Sequence, residues 1–335
     1  EISGDNTNIM SENNAVIGNM GEGQVNISGG TLKALKANVI SNMGTGQVNV
    51  NGGTIIGQNE LTEAQIEKGS SSPAIWNETD AGKIKITGGN ISSKVADIIY
   101  NKAGGTVEIS GDTTNIMSEN KNIIYNNEIG QVNIKGGILE SINSAAVYNK
   151  DGTITVEGGT IKSLKSNVIN NKGTGQVNMS GGTIIGQNEY KEGSTSSYPT
   201  IWNETDTGKI KITGGNISSK VADIIYNKAG GTVEISGDTT NIMSENKNTI
   251  DNISAGQINI NGGTIESVNS SAINNKGIVN INGGTIKSLK SNMIYNKGTG
   301  QINITRGTLI GAQEGVSSNN VISNSENGRV KITGG

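Results

Sequence analysis

The sequence has no cysteine, no histidine and no phenylalanine, and only two prolines. Without cysteine there is neither a disulfide framework nor a thiolate metal site, and without histidine the commonest general base and transition-metal ligand is missing. Most catalytic schemes fall with those two absences, and no catalytic residue, metal or cofactor is expected. Aromatic residues make up only 3% of the chain, which excludes an ordinary globular core. No apolar run approaches membrane-spanning length, so no membrane insertion is expected within this segment. A net charge of −3 gives no electrostatic case for nucleic acid. The 50 glycines follow no Gly-X-Y period, which excludes collagen.

What is present is a short stretch in many copies. In Gly175–Gln187, GQVNMSGGTIIGQ, Val177 and Met179 alternate with polar neighbours, Gly181-Gly182 turns the chain, and Thr183-Ile184 restarts an extended run. The Gly-Gly landmark, or its Gly-Asp variant, starts at Gly4, Gly29, Gly52, Gly88, Gly111, Gly136, Gly158, Gly181, Gly214, Gly237, Gly262 and Gly283, then recurs as Arg306-Gly307 and at Gly334. Most intervals are 21 to 25 residues, and three are longer, at 36, 33 and 28. A larger unit of 126 residues runs from Gly111 to Gly237, and Gly82–Asn122 recurs letter for letter as Gly208–Asn248. Copying of a whole block suits a scaffold or display array better than a unique active site.

Each interval reads as three short extended runs, abundant in the Ile, Val and Thr that favour strands. Such an interval is the size of one rung of a parallel β-helix. The expectation is one all-β domain over 1–335, a right-handed parallel β-solenoid of about thirteen rungs with three faces. At ~4.8 Å per rung it would be a rod roughly 60 Å long. The segment reads as part of a longer repetitive protein, with end-to-end continuation into further repeats.

Two files of residues follow from stacking. One asparagine falls in every rung: Asn19, Asn42, Asn77, Asn101, Asn126, Asn149, Asn171, Asn203, Asn227, Asn252, Asn275, Asn296 and Asn324. Stacked in a buried bend, each amide can donate to the rung on one side and accept from the other, a structural ladder. The residue two before each is Ile or Val, so both point inward and the residue between points out. At that outward position stand Trp76, Tyr100, Tyr125, Tyr148, Trp202, Tyr226 and Tyr295, seven of the nine aromatics. They are candidate ligand-binding residues, able to stack on sugar rings or pack against a partner, or else a stabilising stack between rungs.

The long intervals read as inserted polar loops at Gln58–Pro73, with a helical turn at Leu61–Glu67, at Gln187–Pro199 and at Gly311–Asn320. Since they lead into the second strand, loops and aromatic file are expected on one side. The aspartates, including the copy pairs Asp97/Asp223, Asp112/Asp238 and Asp80/Asp206, read as turn caps and solvated face, with no carboxylate pair among them. Asn77-Glu78-Thr79-Asp80 and its copy cluster oxygens but read as solvated rather than as a calcium site. Lys33 and Lys36, Lys162 and Lys165, Lys287 and Lys290 read as a solubilising edge device. Thr31, Thr54, Thr160, Thr183, Thr264 and Thr285 form an outward file interrupted by Asn90, Ile138 and Asn216, and offer one Thr per rung rather than the flat pair of an ice-binding face.

The stretches VNISGGT, VNVNGGT, VNMSGGT and ININGGT resemble the coils of bacterial surface proteins with pectin-lyase-like right-handed β-helices, including repetitive adhesins. The chain also looks like a clostridial-type family of carbohydrate-binding β-helices, but lacks the acidic turns that bind calcium there. The resemblance implies an extracellular or cell-surface location, partners among host or bacterial surface glycans or proteins, and an origin in a Gram-positive bacterium. The function expected is a non-catalytic structural or adhesive rod; the alternatives are a carbohydrate-binding module and, more remotely, a polysaccharide lyase or hydrolase.

Overall fold

The computed structural model describes residues 1–68, 71–187, 197–311 and 319–334. The expected loops at Gln187–Pro199 and Gly311–Asn320 lie outside the described residues over 188–196 and 312–318. The chain divides into two compact units, Glu1–Ser163 and Leu164–Gly335. Each is a parallel β-solenoid.

The middle strand of every turn is three residues long and ends in asparagine. The first unit has Ile17–Asn19, Ile40–Asn42, Ile75–Asn77, Ile99–Asn101, Ile124–Asn126 and Val147–Asn149. The second has Ile169–Asn171, Ile201–Asn203, Ile225–Asn227, Ile250–Asn252, Ile273–Asn275, Ile294–Asn296 and Ile322–Asn324. Inside each unit they pair in parallel, residue on residue, as in Ile99↔Ile124, Tyr100↔Tyr125 and Asn101↔Asn126. These are the thirteen turns the interval count predicts.

Alternation fixes which side chains enter the core. In Lys83–Ile86 and Lys209–Ile212 the two isoleucines are buried and the two lysines exposed. Val48, Ile84, Val107 and Val132 follow one another in register, as do Ile210, Val233, Ile258 and Val279. Each such side chain is almost fully buried. Burial of a Val or Ile contributes roughly 1.5–3 kcal/mol, so long aliphatic files replace the aromatic core the composition denies.

At Gly181-Gly182 the landmark separates Gln176–Met179 from Thr183–Ile185, as expected, but elsewhere it is not a simple turn. Single strands run through it in Gln131–Ser141, Thr153–Ser163, Gln257–Ser267, Ile278–Ser288 and Gln301–Ile310. Register shifts flank the glycines there, so the corner is a bend with a bulge inside a continuing ladder. The second glycine holds a left-handed φ, 78° at Gly182 and 126° at Gly307, where a Cβ is disfavoured. That is why Arg306 can replace a first glycine while Gly307 keeps the second.

In the first unit the segment between Ile56 and Ile75 carries helix Glu63–Lys68, close to the expected turn. A capping box starts it: Gln65 N–H donates to Thr62 Oγ1 at 3.2 Å, and Thr62 N–H to Gln65 Oε1 at 2.9 Å. Gln58 and Gln187 are fully buried, and each accepts a backbone N–H from the far side of its insertion, Ser72 and Tyr198, both at 2.8 Å.

Candidate functional site

The asparagines form a directed chain of hydrogen bonds in both units. Nδ2 of Asn19 donates to Oδ1 of Asn42 at 2.8 Å, and the relay continues through Asn77, Asn101 and Asn126 to Asn149. In the second unit it runs from Asn171 through Asn203, Asn227, Asn252, Asn275 and Asn296 to Asn324, at 2.7 to 3.0 Å. The other N–H of each amide donates to a glycine carbonyl in the turn that follows, as Asn227 does to Gly231 at 2.7 Å. Both donors and the acceptor of an interior amide are therefore engaged. The interior members are fully buried, whereas Asn324 in the last turn is exposed. The sequence-derived spine is present in full within each unit.

The aromatic positions lie outward and half-buried, as alternation requires. Tyr100 and Tyr125 stack with centroids 5.0 Å apart and planes 9° apart; Tyr125 and Tyr148 stack at 4.7 Å and 19°. Trp76 joins them, tilted by 42° at 5.7 Å from Tyr100, so the inserted segment before it does not interrupt the stack. In the second unit Trp202 meets Tyr226 edge-on at 6.3 Å and carries the Lys228 ammonium 5.4 Å from its centroid. Tyr295 carries Lys297 in the same way at 5.2 Å. In the stack the faces of Tyr100 and Tyr125 are turned to neighbouring rings and their edges outward. The indole N–H groups of Trp76 and Trp202 are buried without a hydrogen-bond partner.

Asp80, Asp112, Asp206 and Asp238 are exposed, as the sequence predicts, and Asp97 and Asp223 depart from that expectation. Asp97 and Asp223 do cap turns, accepting the backbone N–H of Asn122 at 2.8 Å and of Asn248 at 2.9 Å, but both are half-buried rather than on an open face. Burial pushes the Asp97 carboxyl up, against the hydrogen bonds from Asn122 and the charge of Lys121. Asp223 is pushed up to about 7, by burial first and then by the charge of Asp251.

Other ladders also escaped sequence reasoning. Ser93, Ser118, Ser141, Ser219, Ser244, Ser267 and Ser288 are buried at the end of the first strand of their turns and donate to carbonyls, as Ser219 does to Gln187 at 2.7 Å. Their signal is a serine recurring after the landmark, in NISS, NIMS, ILES and TIES. A second asparagine ladder lies on the outer face, with Asn303 donating to Asn280 at 2.9 Å and Asn280 to Asn259 at 2.8 Å. The lysines are not merely an edge device: Lys36 pairs with Glu12, Lys162 with Glu140 and Lys287 with Glu266, each one turn away. Glu78 pairs with Lys102, and Glu204 with Lys172 and Lys228, so these copies of the acidic cluster are occupied by lysine.

The first insertion does not sit wholly with the aromatic file. Asn59 and Glu60 border two depressions on the outer face of the first strands, one of about 480 Å³ with Ser92, Lys94, Met117 and Glu119, the other of about 280 Å³ with Lys33 and Lys36. No group of three or more histidine, cysteine, aspartate or glutamate side chains that could hold a metal occurs among the described residues. Among the described residues no helix is long and apolar enough to cross a membrane. In comparisons with known proteins, no family model, no curated protein and no solved structure matches the chain.

Proposed function

We propose that this chain is a non-catalytic structural and adhesive element of a repetitive, extracellular surface protein. The observation that carries the reading is the use of its polar side chains. Asparagine amides, serine hydroxyls and lysine–glutamate pairs are committed to the neighbouring turn, in chains that repeat from turn to turn. Catalysis instead needs groups poised against one another at a single place, with capacity left for a substrate. The copied block Gly82–Asn122 and Gly208–Asn248 supports the same reading, because duplication extends a scaffold without disturbing it.

The adhesive part of the proposal concerns the aromatic file, with surface glycans or proteins as the partner class. Stacked rings offer edges rather than faces, which favours a protein partner over a sugar platform. The test is an array of glycans and surface proteins probed with the wild type and a Trp76→Ala, Trp202→Ala double variant, with reducing-end release from pectin and alginate followed in parallel. Protein binding that the double variant weakens, without sugar release, is the expected result. Glycan binding through the tryptophans would favour a carbohydrate-binding module, and sugar release would overturn the non-catalytic reading.

A further inference from the structure

At the larger of the two depressions beside the first insertion, polar side chains are left unengaged. Asn59 and Glu60 border it from the insertion, and Ser92, Lys94, Met117 and Glu119 from the two turns that follow. Among the described residues, the side chains of Asn59, Glu60, Ser92 and Lys94 make no hydrogen bond or ion pair, and Glu119 accepts only a 3.4 Å contact from the adjacent Asn120. Elsewhere a lysine and a glutamate one turn apart do pair, Lys102 with Glu78 at 3.2 Å and Lys287 with Glu266 at 3.1 Å. Lys94 and Glu119 are also one turn apart and side by side: Glu119 N–H donates to the Ser93 carbonyl and Asn120 N–H to the Lys94 carbonyl, both at 3.1 Å. Their charged ends nevertheless do not meet. The copied block repeats this, since neither Lys220 nor Glu245 belongs to an ion pair among the described residues.

The volume of about 480 Å³ falls within the roughly 300–1,000 Å³ of small-ligand sites. Glu60 and Glu119 against Lys94 leave the rim with an excess of negative charge. Met117, 45% exposed, and the half-buried Ile142 of the next turn supply apolar surface. Among the described residues no aromatic ring borders the depression, so a sugar ring has no face to stack on. The Asn59 amide and the Ser92 hydroxyl can serve both the N–H and the C=O of a main chain.

We propose that this depression binds an extended segment of a partner protein in which a basic side chain adjoins an apolar one. The basic group faces Glu60 and Glu119, the apolar group lies against Met117 and Ile142, and Lys94 donates to a main-chain carbonyl. The site lies on the outer face of the first strands and needs neither tryptophan, so it goes beyond the reading of the aromatic file and can fail without it.

Fluorescence anisotropy with the full chain and three labelled, end-blocked pentapeptides tests this: Leu-Lys-Leu-Lys-Leu, Leu-Glu-Leu-Glu-Leu and Leu-Ser-Leu-Ser-Leu. The lysine peptide should bind at least about tenfold more tightly than either other. Glu60→Gln, Glu119→Gln and Glu245→Gln together, the last included because it is the copy of Glu119, should remove that preference. The corresponding three changes to lysine should reverse it toward the glutamate peptide, a gain that loss of folding cannot produce. Trp76→Ala with Trp202→Ala should leave it unchanged. Equal binding of the three peptides by the wild type, a preference that survives the glutamate changes, or one lost in the tryptophan variant would overturn the proposal.

Discussion

Asn227 shows what a single position does in this architecture. It accepts from Asn203 at 2.8 Å and donates to Asn252 at 3.0 Å and to the Gly231 carbonyl at 2.7 Å. Leucine there would strand a donor and two acceptors in a dry bend, each costing about 1–3 kcal/mol. Asn227→Leu should therefore lower stability by at least about 3 kcal/mol in chemical denaturation, while Asn324→Leu at the exposed end of the file should cost under about 1 kcal/mol. Equal costs would mean that the amide chain is not what holds the bend. Asp223 gives the pH counterpart. A carboxyl whose folded pKa is raised, here to about 7, leaves stability intact below the unfolded value and reduces it as pH rises through the folded one. Asp223→Asn cannot ionise but keeps an acceptor for Asn248 N–H. Its melting temperature should exceed that of the wild type at about pH 8, by roughly 1–3 kcal/mol in stability, and lose that advantage at about pH 4. Calorimetry at the two pH values decides it, and an advantage that does not vary with pH would refute the sign.

At the scale of the element, the middle strand is the informative one. Its inward residues were legible because Ile or Val and Asn stand two apart in every turn, and only an alternating strand puts both on one side. Its outward residue was legible as a file, but the character of that file was not. Whether Tyr100, Tyr125 and Tyr148 stack or stand apart depends on ring orientation, which sequence does not carry. The corner glycines were legible as landmarks but not as bulges, because a bend inside a continuing ladder and a turn between strands make the same demand for a left-handed residue. The partial burial of Asp97 and Asp223 was illegible for another reason, since it arises from register between turns, each carboxyl accepting an N–H of the next turn, rather than from spacing along the chain. The stack itself is testable: Tyr125→Ala removes two ring contacts worth about 0.5–1.5 kcal/mol each beyond buried area, so a loss of at least about 1 kcal/mol is expected. Asn274→Ala, at a position with the single ring of Tyr295 beside it in register and no ring of its own to stack, should cost less in the same denaturation series.

At the scale of the whole molecule, each turn inside a unit depends on the turn before and the turn after. Stability in such a chain is close to a sum of turn and interface contributions, and removing turns shortens it without changing what remains. The copied block allows this to be examined without creating a new junction. Deleting Lys83–Gly208 joins Gly82 to Lys209 and leaves the local sequence on both sides as it stands in the chain. The most direct test of the stacked-turn account is therefore the thermal unfolding of that deletion variant, followed by circular dichroism beside the full chain. The account predicts a soluble protein with the same β-rich spectrum per residue and a cooperative melt. A chain that is unfolded or aggregated after the deletion would contradict it, because its fold would then depend on something other than the match of each turn to the next.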